Sequence, residues 1–444
     1  MLERVCVIGA GSSGIASCQV LHERAIPFDC FEAGSTVGGN WRYENDNGMS
    51  AAYRSLYINT SRRRMEYAAF PMPEDYPDYP HHAQIARYFD AYVDHFGFRE
   101  HIRFCTEVTL VEPAAAGGWD VTTSDGHTRR YRAVLVANGH HWDQRWPDFQ
   151  GAFAGEQMHA HQYRTPEIFD GRRVLVLGMG NSAMDIASES SRWSEATFLA
   201  SRRGAWIIPK YLKGRPTDEL ANPVVTRLPV RVQSRIYRSL LATSQGPMEN
   251  YGLPKPDHRV LEAHPTISSD LLQTIGHGRT HPKPNVKRLE GDSVRFVDGS
   301  SERVDLIVWA TGYNITFPFL RRTVLNVEDN EVSLYRRVAH PDLANLFFIG
   351  LVQPLGAIMP LAEEQSKWVA ELLTGVAVLP PRSRMHSAIE RDTEQMRRRY
   401  VTSTRHTIQV DYDRYLRQLR RERVRGKVER QARGTLGGGA RAVA

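Results

Sequence analysis

Two glycine-rich turns, each placed between an apolar run and a helical stretch, constrain the fold of this chain more than any other feature. The first turn is Gly9-Ala-Gly11-Ser-Ser-Gly14, and the second is Gly178-Met-Gly180-Asn-Ser-Ala183 in mid-sequence. Glycine permits the tight turn and lets backbone N–H groups at a helix N-terminus approach a pyrophosphate closely. The pattern therefore predicts two dinucleotide-binding βαβ folds, the second inserted within the first.

The predicted fold class is α/β, with two Rossmann-like domains. A chain of 444 residues exceeds the size at which a single core stops growing. Buried strands at Asp305–Ala310 and Leu346–Gly350 are expected to return to the first sheet. We therefore expect a discontinuous first domain of residues 1–165 and 305–444, and a second domain of residues 166–304.

The residues that close the two folds differ in charge. Glu32 lies 23 residues after Gly9, at the end of the second strand, where a carboxylate can accept both ribose hydroxyls of an adenosine. The same offset from Gly178 reaches Ser201, which Arg202 and Arg203 follow. Because a guanidinium matches phosphate geometry and a carboxylate would repel it, the second site is predicted to hold NADP(H). Two unlike nucleotide sites suggest that one cofactor passes electrons to another.

Composition and cysteine usage exclude several other classes. The chain is 41% apolar and 24% charged, and no apolar run reaches the roughly 18 residues that a membrane span needs. With no transmembrane segment or signal-peptide pattern, we expect a cytoplasmic protein. Its four cysteines form neither a C-x-x-C pair nor a metal-ligand spacing, so no metal site is predicted. The basic tail from Asp411 is more typical of a solvated helix with a disordered end from Gly434 than of a nucleic-acid arm.

The run Phe153-x-Gly155-x-x-x-His159-x-x-x-Tyr163 resembles the fingerprint of the flavin-containing monooxygenases. The flanking motifs resemble that family as well, up to about Tyr415. They are Asn59-Thr-Ser, Phe70-Pro-Met-Pro, Gly139-His-His, Ser201-Arg-Arg-Gly-Ala-Trp206, Ala310-Thr-Gly-Tyr313 and Gln353-Pro-Leu-Gly-Ala-Ile-Met-Pro360. Tyr163 separates this group from type I Baeyer–Villiger enzymes, whose similar run ends in Trp.

The resemblance implies FAD in the first site and NADPH in the second. It also implies a cycle in which hydride reduces the flavin, O₂ adds at its C4a atom, and a soft nucleophile such as an amine or a sulfide attacks the distal oxygen of the hydroperoxide. No protein side chain need act as a nucleophile. Further implied partners are O₂, a small-molecule substrate and a possible second copy of the chain.

Particular site residues also follow from the resemblance. Asn59 is expected beside the flavin and the nicotinamide as the catalytic residue, and His159 is expected to have a structural role. The expected FAD-binding residues are Gly9, Gly11, Gly14, Glu32, Gly39, Asn40, Trp41, Val108 and Gln353. The expected NADPH-binding residues are Gly178, Gly180, Asn181, Ser182, Ala183, Ser201, Arg202 and Arg203.

Some alternatives stay open on the sequence alone. Asn40 and Asn138 depart from the residues usual in relatives, and the apolar C-terminal anchor of animal relatives has no counterpart. Baeyer–Villiger oxidation of ketones and an NADPH oxidase that releases peroxide both use the same two cofactors. A pyridine–disulfide reductase shares the architecture but requires a redox dithiol, which the cysteine spacing does not provide.

Overall fold

The computed structural model describes residues 3–220, 228–401 and 407–438, with side chains up to residue 432. The chain forms two compact units. The first comprises Met1–Ser50, Arg62–His140 and Ile315–Ala444, and the second comprises Ala51–Ser61 and His141–Asn314. The described residues contain these α-helices: α1 (Ser12–Glu23), α2 (Arg62–Met65), α3 (His82–Phe96), α4 (Asn181–Ser190), α5 (Val230–Ser244), α6 (Leu271–Gly276), α7 (Met359–Leu373), α8 (Arg382–Arg399) and α9 (Tyr412–Gly438).

The first unit is built on a five-stranded parallel sheet of order β23-β7-β1-β2-β3. Its four longer strands are buried along their whole length, as expected for a parallel sheet covered on both faces. A three-stranded antiparallel sheet of order β4-β5-β6 accompanies it. The strands are β1 (Val5–Ile8), β2 (Phe28–Phe31), β3 (Ile102–Arg103), β4 (Val108–Pro113), β5 (Trp119–Thr123), β6 (Thr128–Tyr131), β7 (Ala133–Val136) and β23 (Leu346–Phe348).

The second unit repeats this plan with a five-stranded parallel sheet of order β10-β21-β11-β12-β17. A four-stranded sheet of order β20-β19-β18-β9 joins the same unit. The strands are β9 (Gln150–Phe153), β10 (Glu156–His159), β11 (Arg173–Leu177), β12 (Ala196–Ala200), β17 (Thr280–Lys283), β18 (Val286–Gly291), β19 (Ser293–Phe296), β20 (Ser301–Arg303) and β21 (Leu306–Trp309).

Four two-stranded ladders complete the described strands. The pairs are β8 (Asp143–Gln144) with β22 (Tyr313–Asn314), β13 (Ile207–Ile208) with β16 (Thr266–Ile267), β14 (Tyr211–Leu212) with β15 (Arg215–Pro216), and β24 (Gln353–Leu355) with β25 (Gln409–Asp411). The segment from Tyr211 to Pro284, in which the sequence shows no clear period, thus holds short strands together with α5 and α6. Residues 221–227 of that segment lie outside the described part.

The strand β21 corrects one expectation. The sequence placed Asp305–Ala310 in the first sheet, but Leu306–Trp309 lies between β10 and β11 in the second. A buried apolar run predicts a parallel strand without naming its neighbours, so the pattern fits either sheet equally well. The returning strand Leu346–Phe348, by contrast, pairs with β7 in the first sheet as expected.

The compact units also divide the chain at other positions than the expected 165/166 and 304/305. Residues 141–165 belong to the second unit because β9 pairs with β18 and β10 pairs with β21. At the C-terminal end, α9 continues to Gly438, so the disorder expected from Gly434 is wrong for Gly434–Gly438. Residues 439–444 lie outside the described part.

Candidate functional site

The first glycine turn forms a cradle that only glycine can build. Gly9 has a φ of +95°, and a Cβ atom there would lie 2.8 Å from the carbonyl oxygen of Ala137. A Cβ atom on Gly14 would lie 1.8 Å from the carbonyl oxygen of Gly9. Gly11 precedes α1, and no side chain caps this N-terminus among the described residues. The first N–H groups of α1 therefore remain available to a pyrophosphate.

Glu32 lies directly beside this cradle and is buried. Its Oε2 accepts from the backbone N–H of Ala10 at 2.6 Å, and its Oε1 accepts from the N–H of Gly34 at 2.9 Å and from Asn47 Nδ2 at 3.1 Å. Burial raises the pKa of Glu32, and these hydrogen bonds oppose the increase. Three of about four acceptor positions are occupied, so accepting both ribose hydroxyls would require one contact to open.

The other expected FAD residues are spread through the first unit. Gly39, Asn40 and Trp41 form a short 3₁₀ helix, and a Cβ atom on Gly39 would lie 3.1 Å from Gly11 Cα, which brings this loop against the cradle. Val108 begins β4, where its side chain packs in the apolar core. Gln353 begins β24. The structure therefore brings Gly9, Gly11, Gly14, Glu32 and Gly39 together, while the side chain of Val108 lies in the core.

The second glycine turn repeats the cradle. Gly178 has a φ of +148°, and a Cβ atom there would lie 2.5 Å from the carbonyl oxygen of Ala310. Gly180 precedes α4, whose N-terminus has no side-chain cap among the described residues. The amide oxygen of Asn181 is already engaged within the protein, because Oδ1 accepts from the backbone N–H of Ile267 at 2.8 Å. Ser182 and Ala183 follow in the first turn of α4.

The residues after β12 supply the expected positive charge. Ser201 is buried, and Arg202 and Arg203 are exposed. Arg203 Nε lies 3.3 Å from Asp257 Oδ2 in a surface ion pair. Arg202 has no ion-pair partner within the described part of the chain, so its guanidinium is available to a phosphate.

Asn59 lies in a segment that is fastened to the second unit, although its sequence neighbours on both sides belong to the first. The hydroxyl of Tyr53 donates to Asp185 Oδ2 at 2.5 Å, and Ser55 Oγ donates to Glu189 Oε2 at 2.7 Å, both acceptors being on α4. Lys210 Nζ also donates to the carbonyl oxygen of Ile58 at 3.1 Å. These contacts fix the backbone on the N-terminal side of Asn59.

The last residue of the fingerprint run, Tyr163, also contacts the carboxylate of Glu189. Tyr163 is fully buried, and its hydroxyl donates to Glu189 Oε2 at 2.7 Å, the oxygen that also accepts from Ser55. His159 has both ring nitrogens engaged, with Nε2 at 3.1 Å from the carbonyl oxygen of Gly312 and Nδ1 accepting from the N–H of His161. Burial lowers the pKa of His159 to about 4, so the ring is neutral at pH 7. Its contacts agree with the structural role that the sequence predicted.

The sequence interpretation missed a half-buried polar cluster at α4, formed by Tyr53, Asp185 and Lys210. Burial raises the pKa of Asp185 to about 6, although the hydrogen bond from Tyr53 and the charge of Lys210 favour its ionised form. Burial also lowers the pKa of Lys210. A signal was present in the sequence, because Asp185 lies among Ala183, Met184, Ile186 and Ala187, which are apolar and fully buried.

The two cradles, each opening at an uncapped helix N-terminus and closed by groups of opposite charge, define a protein that binds two different dinucleotides. The family model described as "FMO-like: Flavin-binding monooxygenase-like" matches residues 2–428. The chain belongs to this family of flavin-binding monooxygenases. It is an NADPH-dependent flavoprotein oxidoreductase whose cofactors are FAD and NADPH, as the sequence predicted.

Individual relatives agree with this assignment. Flavin-containing monooxygenase 5 of Cavia porcellus is 38% identical over 431 residues, covering 92% of this chain and 80% of the relative. Dimethylaniline monooxygenase [N-oxide-forming] 2 of Rattus norvegicus is 35% identical, covering 94% of this chain and 82% of the relative. The solved structure of S-allyl-L-cysteine S-oxygenase from Allium sativum is 27% identical with a TM-score of 0.71, covering 94% of this chain and 88% of that chain.

Within residues 3–220, 228–401 and 407–438, no helix combines the length and the apolar character that crossing a membrane requires.

Proposed function

We propose that this monooxygenase transfers one oxygen atom to soft nucleophiles, namely the nitrogen of amines and the sulfur of sulfides. Support comes from the names of two relatives, one an N-oxide-forming dimethylaniline monooxygenase and the other an S-oxygenase. The fingerprint supplies a second argument, because it ends in Tyr163, which donates to Glu189. That hydrogen bond is the observation that carries the assignment, because it gives the Tyr that distinguishes this run from the Trp of the ketone-oxidising group a carboxylate partner on α4.

The roles of the chain's own residues follow from their geometry. The N–H groups at the start of α1 would bind the pyrophosphate of FAD, and those at the start of α4 would bind that of NADPH. Arg202 and Arg203 would bind the 2′-phosphate, which distinguishes NADPH from NADH. The chemistry that bound FAD would supply is acceptance of hydride from NADPH and activation of O₂. A neutral, fully hydrogen-bonded His159 positions the backbone at Gly312 and transfers no proton.

Asn59 is proposed as the residue whose side-chain amide supports oxygen transfer at the flavin. Its support is the family resemblance together with the fastening of its segment by Tyr53, Ser55 and Lys210. A catalytic group must be held within a fraction of an ångström of its productive position, and such fastening provides that rigidity. Asn59→Ala should retain FAD and its rate of reduction by NADPH, yet lose most product while H₂O₂ release increases. Undiminished oxygenation would remove Asn59 from the proposed site.

Purified protein given NADPH and ¹⁸O₂ tests the proposed substrate class. A tertiary amine, a thioether and a cyclic ketone of similar size are supplied separately, and product mass, NADPH consumption and H₂O₂ are measured. We expect one ¹⁸O atom in an N-oxide or a sulfoxide, with little H₂O₂. An ester or lactone as the main product would overturn the proposal in favour of Baeyer–Villiger oxidation. Peroxide equal to the NADPH consumed with every substrate would overturn it in favour of an NADPH oxidase.

We also propose a homodimer and a cytoplasmic location. The dimer is a family expectation, and light scattering of the purified holoenzyme tests it directly. The location is supported by four free cysteines, three of them buried, since thiols persist in a reducing compartment. Fractionation of the native host tests it.

A further inference from the structure

A cavity of about 90 Å³ lies in the first unit, away from both glycine turns. It opens where α8, β25 and α9 meet the turn that carries Arg336 and Arg337. A single buried water needs only about 10–15 Å³. The cavity therefore has room for several waters or for a small ion, and neither nucleotide site nor the proposed chemistry uses it.

The lining of this cavity carries more positive than negative charge, with four arginines and two aspartates. Both aspartates are already engaged. Asp392 Oδ2 lies 2.6 Å from Arg336 Nη1, and Asp411 Oδ1 lies 3.0 Å from Arg399 Nη2. These two ion pairs account for two of the four guanidiniums.

The other two guanidiniums, those of Arg337 and Arg414, form no ion pair with any carboxylate in the described part of the chain. Arg337 Nη2 donates to a thioether, that of Met396 Sδ, at 3.2 Å. Arg414 is exposed, and its Nη2 donates to the neutral amide oxygen of Gln395 at 2.7 Å. Burial lowers the pKa of Arg337, although the charges of Asp392 and Glu331 favour its ionised form. A partly buried guanidinium without an ion-pair partner, such as that of Arg337, is unfavourable.

Gln409 supplies a second, independent observation. Gln409 is among the residues that line the cavity and is only 2% exposed, and neither its Oε1 nor its Nε2 has a hydrogen-bond partner among the described residues. Leaving a buried amide unsatisfied costs about 1–3 kcal/mol per group, so such groups normally have a partner.

We propose that this cavity is a binding site for a small oxyanion of the phosphate or carboxylate class, held by Arg337 and Arg414 with the amide N–H₂ of Gln409 as a further donor. An oxyanion satisfies all three groups at once. Water would satisfy the amide but not the charge, and a cation would be repelled. The bound ion would hold β25 against α8 and α9. Because β25 pairs with β24, it would also steady the strand that begins at Gln353.

Thermal unfolding of the holoenzyme tests this proposal. FAD and NADP⁺ are kept saturating so that their own phosphate sites are filled, and pH and ionic strength are held constant with NaCl. Inorganic phosphate and malonate are titrated in separate arms, which distinguishes the two oxyanion sources. We expect one of them to raise the Tm of the wild type by several degrees at millimolar concentration, with a saturating dose dependence.

Arg337→Met retains the length of the side chain and removes the charge. We expect this variant to lose the anion-dependent Tm increase while remaining at least as stable as the wild type without anion, because an uncompensated charge has gone. Arg414→Gln should weaken the response at least fivefold in midpoint concentration. The matched variant Arg417→Gln, an exposed arginine on α9 outside the cavity lining, should respond like the wild type. No response in the wild type, or an equal response in Arg337→Met, would overturn the proposal and leave a cavity filled by water.

Discussion

At the residue scale, the chain uses charge placement in two opposite ways. Glu32 is a buried carboxylate held by backbone N–H groups beside the first cradle. Arg202 and Arg203 are exposed guanidiniums after β12, beside the second. Because a carboxylate repels a 2′-phosphate and a guanidinium attracts it, we propose that these residues make the two sites discriminate between nucleotides by electrostatics.

Replacing both arginines therefore affects one coenzyme more than the other. In Arg202→Ala/Arg203→Ala, the KM for NADPH should increase roughly 10- to 100-fold, as expected for lost hydrogen bonds to a charged group. The KM for NADH should stay within about twofold of the wild-type value, because NADH has no 2′-phosphate. Arg172→Ala, an exposed arginine of the same unit paired with Glu156, serves as the control and should change neither value. Equal increases for both coenzymes would contradict the assignment.

The titration of Asp185 gives a second prediction at this scale. Its folded pKa of about 6 lies above the ordinary value of 3.8, so the folded chain binds this proton more tightly than the unfolded chain. The associated stability is fully present below the unfolded pKa and is lost as the pH rises towards and through 6. Asn at this position retains an acceptor for Tyr53 but cannot ionise. The free energy of unfolding of Asp185→Asn, relative to the wild type, should increase by on the order of 2 kcal/mol between pH 4 and pH 7.5.

Denaturant unfolding at several pH values measures this difference, and groups common to both proteins cancel. Tyr53→Phe gives an independent check. It removes a hydrogen bond to the ionised carboxylate, so the pKa of Asp185 should rise further and the loss of stability in this variant should extend to higher pH than in the wild type. A pH-independent difference between Asp185→Asn and the wild type would show that Asp185 titrates normally.

At the element scale, α4 serves two purposes. Its N-terminus opens at the second glycine turn, and its later turns carry Asp185 and Glu189, which hold the Asn59 segment through Tyr53 and Ser55. Tyr163 donates to the same oxygen of Glu189. The fingerprint run is thus joined to the proposed catalytic segment through the carboxylate of Glu189. This contact explains in physical terms why the run ends in a tyrosine.

A substitution in the first βαβ element tests whether its glycine turn forms the FAD cradle. Gly14→Ala places a Cβ atom 1.8 Å from the carbonyl oxygen of Gly9, and relieving that overlap should cost about 3 kcal/mol or more. We expect weaker FAD binding and a lower Tm. Gly276→Ala is the matched control, because no heavy atom lies within 4 Å of its added Cβ and it ends α6. That variant should keep FAD affinity and Tm within error; equal losses in the two variants would count against the cradle.

The basic tail differs from what its charge alone suggested. Instead of a freely solvated helix, α9 is held to α7 by ion pairs in which Arg423 lies 2.6 Å and Lys427 lies 3.0 Å from Glu371 Oε1. Glu371 is buried, and its pKa is lowered because these hydrogen bonds outweigh the burial that would raise it. Charge composition could not reveal this, since it does not report which side chains meet across helices.

At the scale of the whole molecule, the sequence determined the parts that depend on short-range patterns. The glycine spacing, the acid at Glu32 and the arginines after β12 are local features. Together with the fingerprint, they predicted two nucleotide folds, FAD, NADPH and the monooxygenase family, which the comparisons confirm. Such motifs are readable because their backbone conformations and phosphate contacts involve residues close in sequence.

Only the tertiary structure decided which distant parts of the chain meet. It placed β21 in the second sheet, fastened Ala51–Ser61 to α4 and gathered Arg337, Gln409 and Arg414 around one cavity. A buried strand or a lone polar residue has the same local pattern whichever neighbour it finds. Its partner is selected by packing and by the satisfaction of buried charge over the whole fold, so one-dimensional periodicity could not supply it.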